Sequence, residues 1–211
     1  MIDDGSERFQ KLWAMGPSVT RVLRHTMSEE KKAKLQAWRE RIGDEKADLV
    51  LKNSQERGNK FDQAVGDLID DGVIHPDYQH ILPKMLEGYE VWGYQTRFAN
   101  PLYHGIIDCF GNYYNSVDMV IDVKTWGRYM RRDWLEDYFT QLSAYATEFG
   151  VPKAQIIGTD GKKIQYFTLK RFEIADYYQK FLMRLQKFKE MFPNFTNHEE
   201  SNTKEEESDI R

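Results

Sequence analysis

The sequence predicts an α/β chain of the α+β kind: a central mixed sheet of about five strands flanked by helices, with a helical N-terminal region. Three observations predict it. Apolar residues recur at three- and four-residue spacing through the first part of the chain, to about residue 87. From Gly88 the spacing changes to the alternation and continuous apolar runs of strands. An Asp160-Gly161 pair between two apolar runs marks a hairpin, and a long amphipathic pattern follows it.

The elements follow in order. Phe9, Leu12 and Trp13 give weak helical spacing before Gly16-Pro17 interrupts it. Ser18 is placed to cap a short helix, its hydroxyl meeting free amides. Ser28 with Glu29 and Glu30 opens the next helix, over 29–41, and Gly43 ends it. A long helix is predicted over 44–70 from Ala47, Val50, Leu51, Phe61, Val65, Leu68 and Ile69, with Gly58 as a break or a place of close approach. Pro76 begins a short helix holding Ile81, Leu82, Met85 and Leu86. Strands are predicted over 89–98, 102–110 and 117–124, with turns at Asn100-Pro101 and Gly111-Asn112. Met119, Val120 and Ile121 are apolar on consecutive positions, as in a strand buried on both faces. A helix over 133–149 is closed by Gly150; the hairpin strands are 154–159 and 164–169; a final helix runs over 172–191.

A chain of 211 residues with 40% hydrophobic and 14% aromatic content supports one domain, residues 1–193, in which 1–87 form the helical part and 88–193 the core. No apolar run is long enough to cross a membrane, and the N-terminus lacks the basic and apolar regions of a signal peptide. The single Cys109 excludes an internal disulfide and fits a reducing cytoplasm. Of the net charge of −4, all resides in residues 194–211, an acidic, aperiodic stretch expected to be disordered. The remaining body is neutral, so any basic surface must be local.

Charges on apolar strands need an explanation, because a buried charge is costly unless paired or metal-bound. Asp108 ends one predicted strand and Asp122 lies near the end of the next. If these strands are neighbours, the carboxylates meet at one point, and Lys124 shares the face of Asp122. Two carboxylates with the backbone carbonyl of Val123 make a hard oxygen site suited to Mg²⁺ or Mn²⁺. The same residues would serve equally as a structural ion pair at a strand end.

Three segments carry a family resemblance: Gly105-Ile106-Ile107-Asp108, Ile121-Asp122-Val123-Lys124-Thr125, and Gln141 followed four residues later by Tyr145. Together they resemble the PD-(D/E)XK nuclease superfamily, in particular the branch with a Q-x-x-x-Y helix. That branch includes RecB-type nuclease domains, the mitochondrial genome maintenance exonuclease and its phage-type relatives. Residues 17–23, 37–43 and the Ser54, Arg57, Gly58 set are similar to the N-terminal half of that branch.

The resemblance implies a restriction-endonuclease-like core and a metal-dependent DNA exonuclease acting on single strands or ends, in a bacterial or phage-infected cytoplasm. It implies Asp108, Asp122 and the Val123 carbonyl as metal ligands and Lys124 as the catalytic lysine. It implies Gln141, Tyr145, Arg57 and Ser54 at the DNA. Arg128 and Arg131, with Lys60 and Arg132, are further candidates for phosphate contacts, and Trp126 and Tyr129 for base stacking. The chain departs from the family pattern at two positions. Asp62 stands where relatives often carry a histidine ligand, and Gln95 where many carry glutamate. Asp62 is therefore a candidate further ligand. The alternatives are a structure-specific endonuclease and a catalytically weakened nucleic-acid-binding module. Oligomeric state is left open.

Overall fold

The computed structural model describes residues 1–195; of the tail 194–211 expected to be disordered, residues from 196 on lie outside the described residues. Helices α1 (Glu7–Met15), α2 (Val19–His25), α3 (Glu29–Ile42), α4 (Asp44–Asp71) and α5 (Leu82–Met85) precede the sheet. Strands β1 (Tyr89–Ala99), β2 (His104–Tyr113) and β3 (Met119–Thr125) lead to helix α6 (Glu136–Glu148), strands β4 (Lys153–Thr159) and β5 (Ile164–Lys170), and helix α7 (Arg171–Met191). The strands lie in sequence order, β1-β2-β3-β4-β5. β3 and β4 are parallel, joined through α6, and the other neighbours are antiparallel, so the sheet is mixed.

The caps predicted at Ser18 and Ser28 form, and Ser6 adds a third at the start of α1. Ser6, Ser18 and Ser28 accept from the amides of Phe9, Arg21 and Lys31 at 3.1, 3.2 and 3.3 Å. Gly43, at φ 85°, separates α3 from α4 in a backbone region that side chains rarely enter. Gly58, expected as a break or a place of close approach, is neither: it lies inside an uninterrupted α4, and a Cβ added there would touch nothing within 4 Å among the described residues. A second difference concerns Gly111 and Asn112. They were expected to turn the chain, yet β2 continues through them to Tyr113. Gly111 pairs with both Val91 and Met119, and Asn112 is buried with its side-chain oxygen accepting from the Asn115 amide. The turn follows it.

Each face of the sheet carries its own core. Phe61, Ala64 and Val65 of α4 and Leu82 and Met85 of α5 pack on Cys109, Met119, Ile121 and Val123. On the other face, residues of α2, α6 and α7 pack on Phe98, Ile107, Val120, Trp126 and Ile156. Alternation along β3 therefore sends odd-numbered residues towards α4 and even-numbered ones towards α6. This explains the unbroken apolar run of β3, and it sets Asp122 and Lys124 on the α6 side.

One ion-pair network fixes the start of α6. Asp137 accepts from Lys31 of α3 at 2.8 Å and from Arg184 of α7 at 2.5 Å, and Arg184 also donates to Thr26 at 2.9 Å and to the Leu23 carbonyl. Helix α3 buries no residue fully, so its tie to α6 rests heavily on this contact.

Candidate active site

Strands β2 and β3 part company at the site. Their pairing runs from Gly111↔Met119 to Cys109↔Ile121 and stops there. At the fork, a side chain takes over the backbone's role: Asp108 Oδ2 accepts from the Val123 amide at 3.2 Å. The same oxygen lies 3.1 Å from Lys124 Nζ, which also meets Asp122 Oδ1 at 2.9 Å. One ammonium thus joins two carboxylates, as the spacing on neighbouring strands predicted.

Burial sharpens the electrostatics. Asp122 is 5% exposed, and burial pushes its carboxyl up to about 7, against the pull of Lys124. Burial acts the other way on Lys124, but Asp108 and Asp122 outweigh it and hold the ammonium well above the usual lysine range. Asp122 Oδ2 is buried and has no hydrogen-bond partner among the described residues. A buried carboxylate oxygen left unpaired costs about 1–3 kcal/mol or more. It is the kind of atom a cation would satisfy, so the donor set of Asp108, Asp122 and the Val123 carbonyl fits a hard divalent ion.

Gln141 and Tyr145 lie one turn apart on α6, with Gln141 Nε2 donating to the Tyr145 hydroxyl at 2.8 Å. Tyr145 is buried, and the charges of Asp108, Asp122 and Lys124 all act on it, so the hydroxyl borders the centre. Its ring lies against β2 at Gly105, where a Cβ would come within 2.7 Å of Tyr145 Cε1 and 2.8 Å of Phe98 Cε1. A glycine inside a predicted strand signals close approach, and here it could have pointed to this contact.

Asp62 lies on α4, on the other side of the sheet from Gln141. Its backbone carbonyl accepts from the Tyr94 hydroxyl at 2.6 Å, and its charge adds to those that hold Lys124 protonated. Among the described residues, no three His, Cys, Asp or Glu side chains form a group that could hold a metal ion, so Asp62 does not complete one with Asp108 and Asp122. Tyr94, whose sequence position marks it only as a strand residue, ties this turn of α4 to β1, and a Cβ on Gly66 would strike its ring at 2.7 Å. Gln95 sits across from Asp108, between the pairs Tyr94↔Cys109 and Thr96↔Ile107, with a left-handed backbone at φ 48°.

The basic residues divide. Arg57 reaches from α4 towards Gly127, and its Nε is buried without a hydrogen-bond partner among the described residues. Ser54 lies one turn earlier on α4, half-buried. Lys60, on the same helix, is exposed. Arg128 is exposed, its guanidinium 4.7 Å from the Trp134 ring centre. Arg131 is engaged elsewhere, in a two-point pair with Asp133 at 3.0 and 2.9 Å, and Arg132 pairs with Glu173 at 2.6 Å. Tyr129 is 62% exposed, as a stacking residue requires. Trp126 is not available for that role: it is 8% exposed, its ring pressed on Gly158 of β4 and edge-on to Phe167.

No family model matches the chain, and no curated protein matches it. Among solved structures it is similar to the crystal structure of SSO0001, at 16% identity over 63% of this chain and 71% of that one, with a TM-score of 0.29. That likeness is too slight to bear on fold or function. Among the described residues no helix is long and apolar enough to cross a membrane.

Proposed function

We propose that the chain is a metal-dependent deoxyribonuclease, an exonuclease of single-stranded DNA or DNA ends, working in a cytoplasm. The observation that carries this reading is the fork of β2 and β3, where Asp108, Asp122 and Lys124 converge and one buried carboxylate oxygen of Asp122 is left unpaired among the described residues.

In this reading Asp108, Asp122 and the Val123 carbonyl hold Mg²⁺ or Mn²⁺. The ion, when bound, supplies Lewis-acid polarisation of the phosphodiester. Lys124 sits on the same point as a fixed ammonium, able to orient the attacking water and to neutralise charge growing on the phosphate oxygens. Gln141 holds the Tyr145 hydroxyl beside the carboxylates, and the pair limits how a strand can lie against them. Arg57 and Arg128 contact phosphates, which fixes the strand without reading its sequence. Arg131 would have to leave Asp133 to join them.

The test is degradation of a linear, end-labelled single strand by the purified protein with Mg²⁺ or Mn²⁺, compared with a closed circle. Loss of the linear strand only, abolished by Lys124→Ala or by chelation, supports the reading. Activity that survives in Lys124→Ala, or without a divalent ion, would sink it. Cutting of the circle would instead support a structure-specific endonuclease.

A second reading, a nucleic-acid-binding module with weakened catalysis, draws on two observations. Lys124 already engages both carboxylates, and no group of three metal-ligating side chains is assembled among the described residues. Calorimetric titration with Mn²⁺, alongside Asp108→Asn, separates the two: a nuclease binds the ion and the variant does not.

A further inference from the structure

A second concentration of side chains lies at the opposite end of the sheet, near Met119. Lys124 is five residues along β3 from there, roughly 16 Å at strand rise. The register Met119↔Lys153↔Lys170 and Ile121↔Gln155↔Thr168 puts these residues on the face that α4 and α5 cover elsewhere. Tyr166, paired with Ile157, shares that face. Here the face is open: Tyr113, Tyr166 and Tyr114 are 41%, 48% and 65% exposed.

The rings are arrayed, not scattered. Tyr89 and Tyr113 are register partners with ring centres 4.8 Å apart, and Tyr114 stands 4.5 Å from Tyr113. Tyr114 and Asn115 take left-handed backbone conformations at φ 46° and 53° in a tight turn closed by Ser116 N–H donating to the Tyr113 carbonyl at 3.0 Å. Such positions suit glycine or asparagine, and a tyrosine there costs roughly 1 kcal/mol. The turn nonetheless holds the Tyr114 ring outward over Gly88, where a Cβ would come within 2.5 Å of it.

The floor beside the rings is polar and satisfied. Tyr89 donates to Gln155, and Gln155 donates to Thr168 at 2.8 Å. Lys153 and Lys170 face each other directly across β4 and β5, and neither makes an ion pair among the described residues. Like charges directly opposite are unfavourable for folding. A polyanion relieves that repulsion, and a protein partner would instead seek an apolar centre depleted of lysine.

We propose that this face is a second surface for single-stranded nucleic acid, with bases stacked on Tyr113, Tyr114 and Tyr166 and phosphates at Lys153 and Lys170. It lies on the other side of the sheet from Asp122 and Lys124 and does not depend on cleavage there. Aromatic platforms beside lysines bind single strands without regard to sequence.

The test is fluorescence anisotropy of the full chain with labelled oligothymidylate in EDTA, so that cleavage plays no part. Tyr114→Asn keeps the left-handed turn and removes the ring; Tyr166→Ala removes a second. Each is expected to weaken binding about tenfold, the effect of one lost stack. Lys153→Gln, which leaves every ring in place, is expected to weaken it several-fold and to reduce the salt dependence by about one charge. Unchanged affinity in the tyrosine double variant, with an unaltered thermal transition, overturns the proposal. So does loss confined to the lysine variant, which would leave only a charged patch. Self-association that Tyr114→Asn abolishes, with no oligonucleotide bound, would assign the face to a second copy and also overturn it. Failure of cleavage in the Lys124 experiment would leave this result untouched, so the two readings fail separately.

Discussion

Asp108 Oδ2 accepts from the Val123 amide and from Lys124 Nζ at once, at 3.2 and 3.1 Å. A single carboxylate oxygen therefore closes the gap left by the departing strand and takes part in the charged centre. The two roles can be separated by substitution.

Asp108→Asn keeps an acceptor for the Val123 amide and removes the charge. It is expected to fold normally while losing at least tenfold in Mn²⁺ affinity by calorimetry. Asp108→Ala removes the acceptor as well. It is expected to lose a further 1–3 kcal/mol or so in urea denaturation, the cost of a buried amide left unsatisfied. Equal stabilities for the two variants would show that the fork does not need the carboxylate.

Lys124→Ala leaves two carboxylates facing each other without their cation. Protonating Asp122 then relieves the repulsion, so the folded-state carboxyl is raised further. A raised acid contributes stability at low pH and loses it as pH rises. The variant is expected to approach the parent at pH 5 and to fall behind by about 3–5 kcal/mol at pH 8. Urea midpoints at the two pH values measure the difference, and a gap that stays constant would argue against the pairing.

Gly105→Ala puts a methyl group 2.7 Å from Tyr145 and 2.8 Å from Phe98. Neither ring has room to retreat, because Tyr145 and Phe98 are both buried in the same core. A loss of about 1–3 kcal/mol is expected, as for overpacking generally. Cleavage should fall by more than stability alone explains, because the Gln141–Tyr145 pair must shift. A variant as active and as stable as the parent would show that this contact is slack.

His104 is 6% exposed, stacked on Trp13 at 4.0 Å, with Nδ1 3.0 Å from the Gly16 carbonyl. Burial lowers its pKa to about 4. A base depressed on folding contributes stability that is fully present above its unfolded pKa and is lost as pH falls towards the folded value. The chain is therefore expected to lose about 2 kcal/mol between pH 7 and pH 5 from this residue. His104→Gln should flatten that limb of the urea profile, and an unchanged slope would place the sensitivity elsewhere.

The sequence made the sheet legible because β3 is buried on both faces and ends in charge, and few arrangements account for Asp122 and Lys124 after Met119-Val120-Ile121. The Asp160-Gly161 hairpin and the serine caps were legible because their signals are local. What remained hidden depends on neighbours distant in sequence. Arg131 and Arg132 look like free cations until Asp133 and Glu173 are seen to hold them. Trp126 looks like a stacking residue until Gly158 is found beneath it. Gly111 and Asn112 carry turn composition, but Gly111 is pinned into β2 by strands on both sides and Asn112 by β1 through Glu90. That no three-ligand group forms around Asp62 among the described residues depends on where α4 lands across the sheet, which spacing along one chain does not encode.

The bond between Asp108 and the Val123 amide gives the molecule a built-in reporter. The Val123 N–H sees the carboxylate directly, so its amide resonance should move when Asp108 is protonated, neutralised by substitution or engaged by an ion. Following that one peak through a titration would read the charge state of the fork in solution, with no substrate added and no catalysis required.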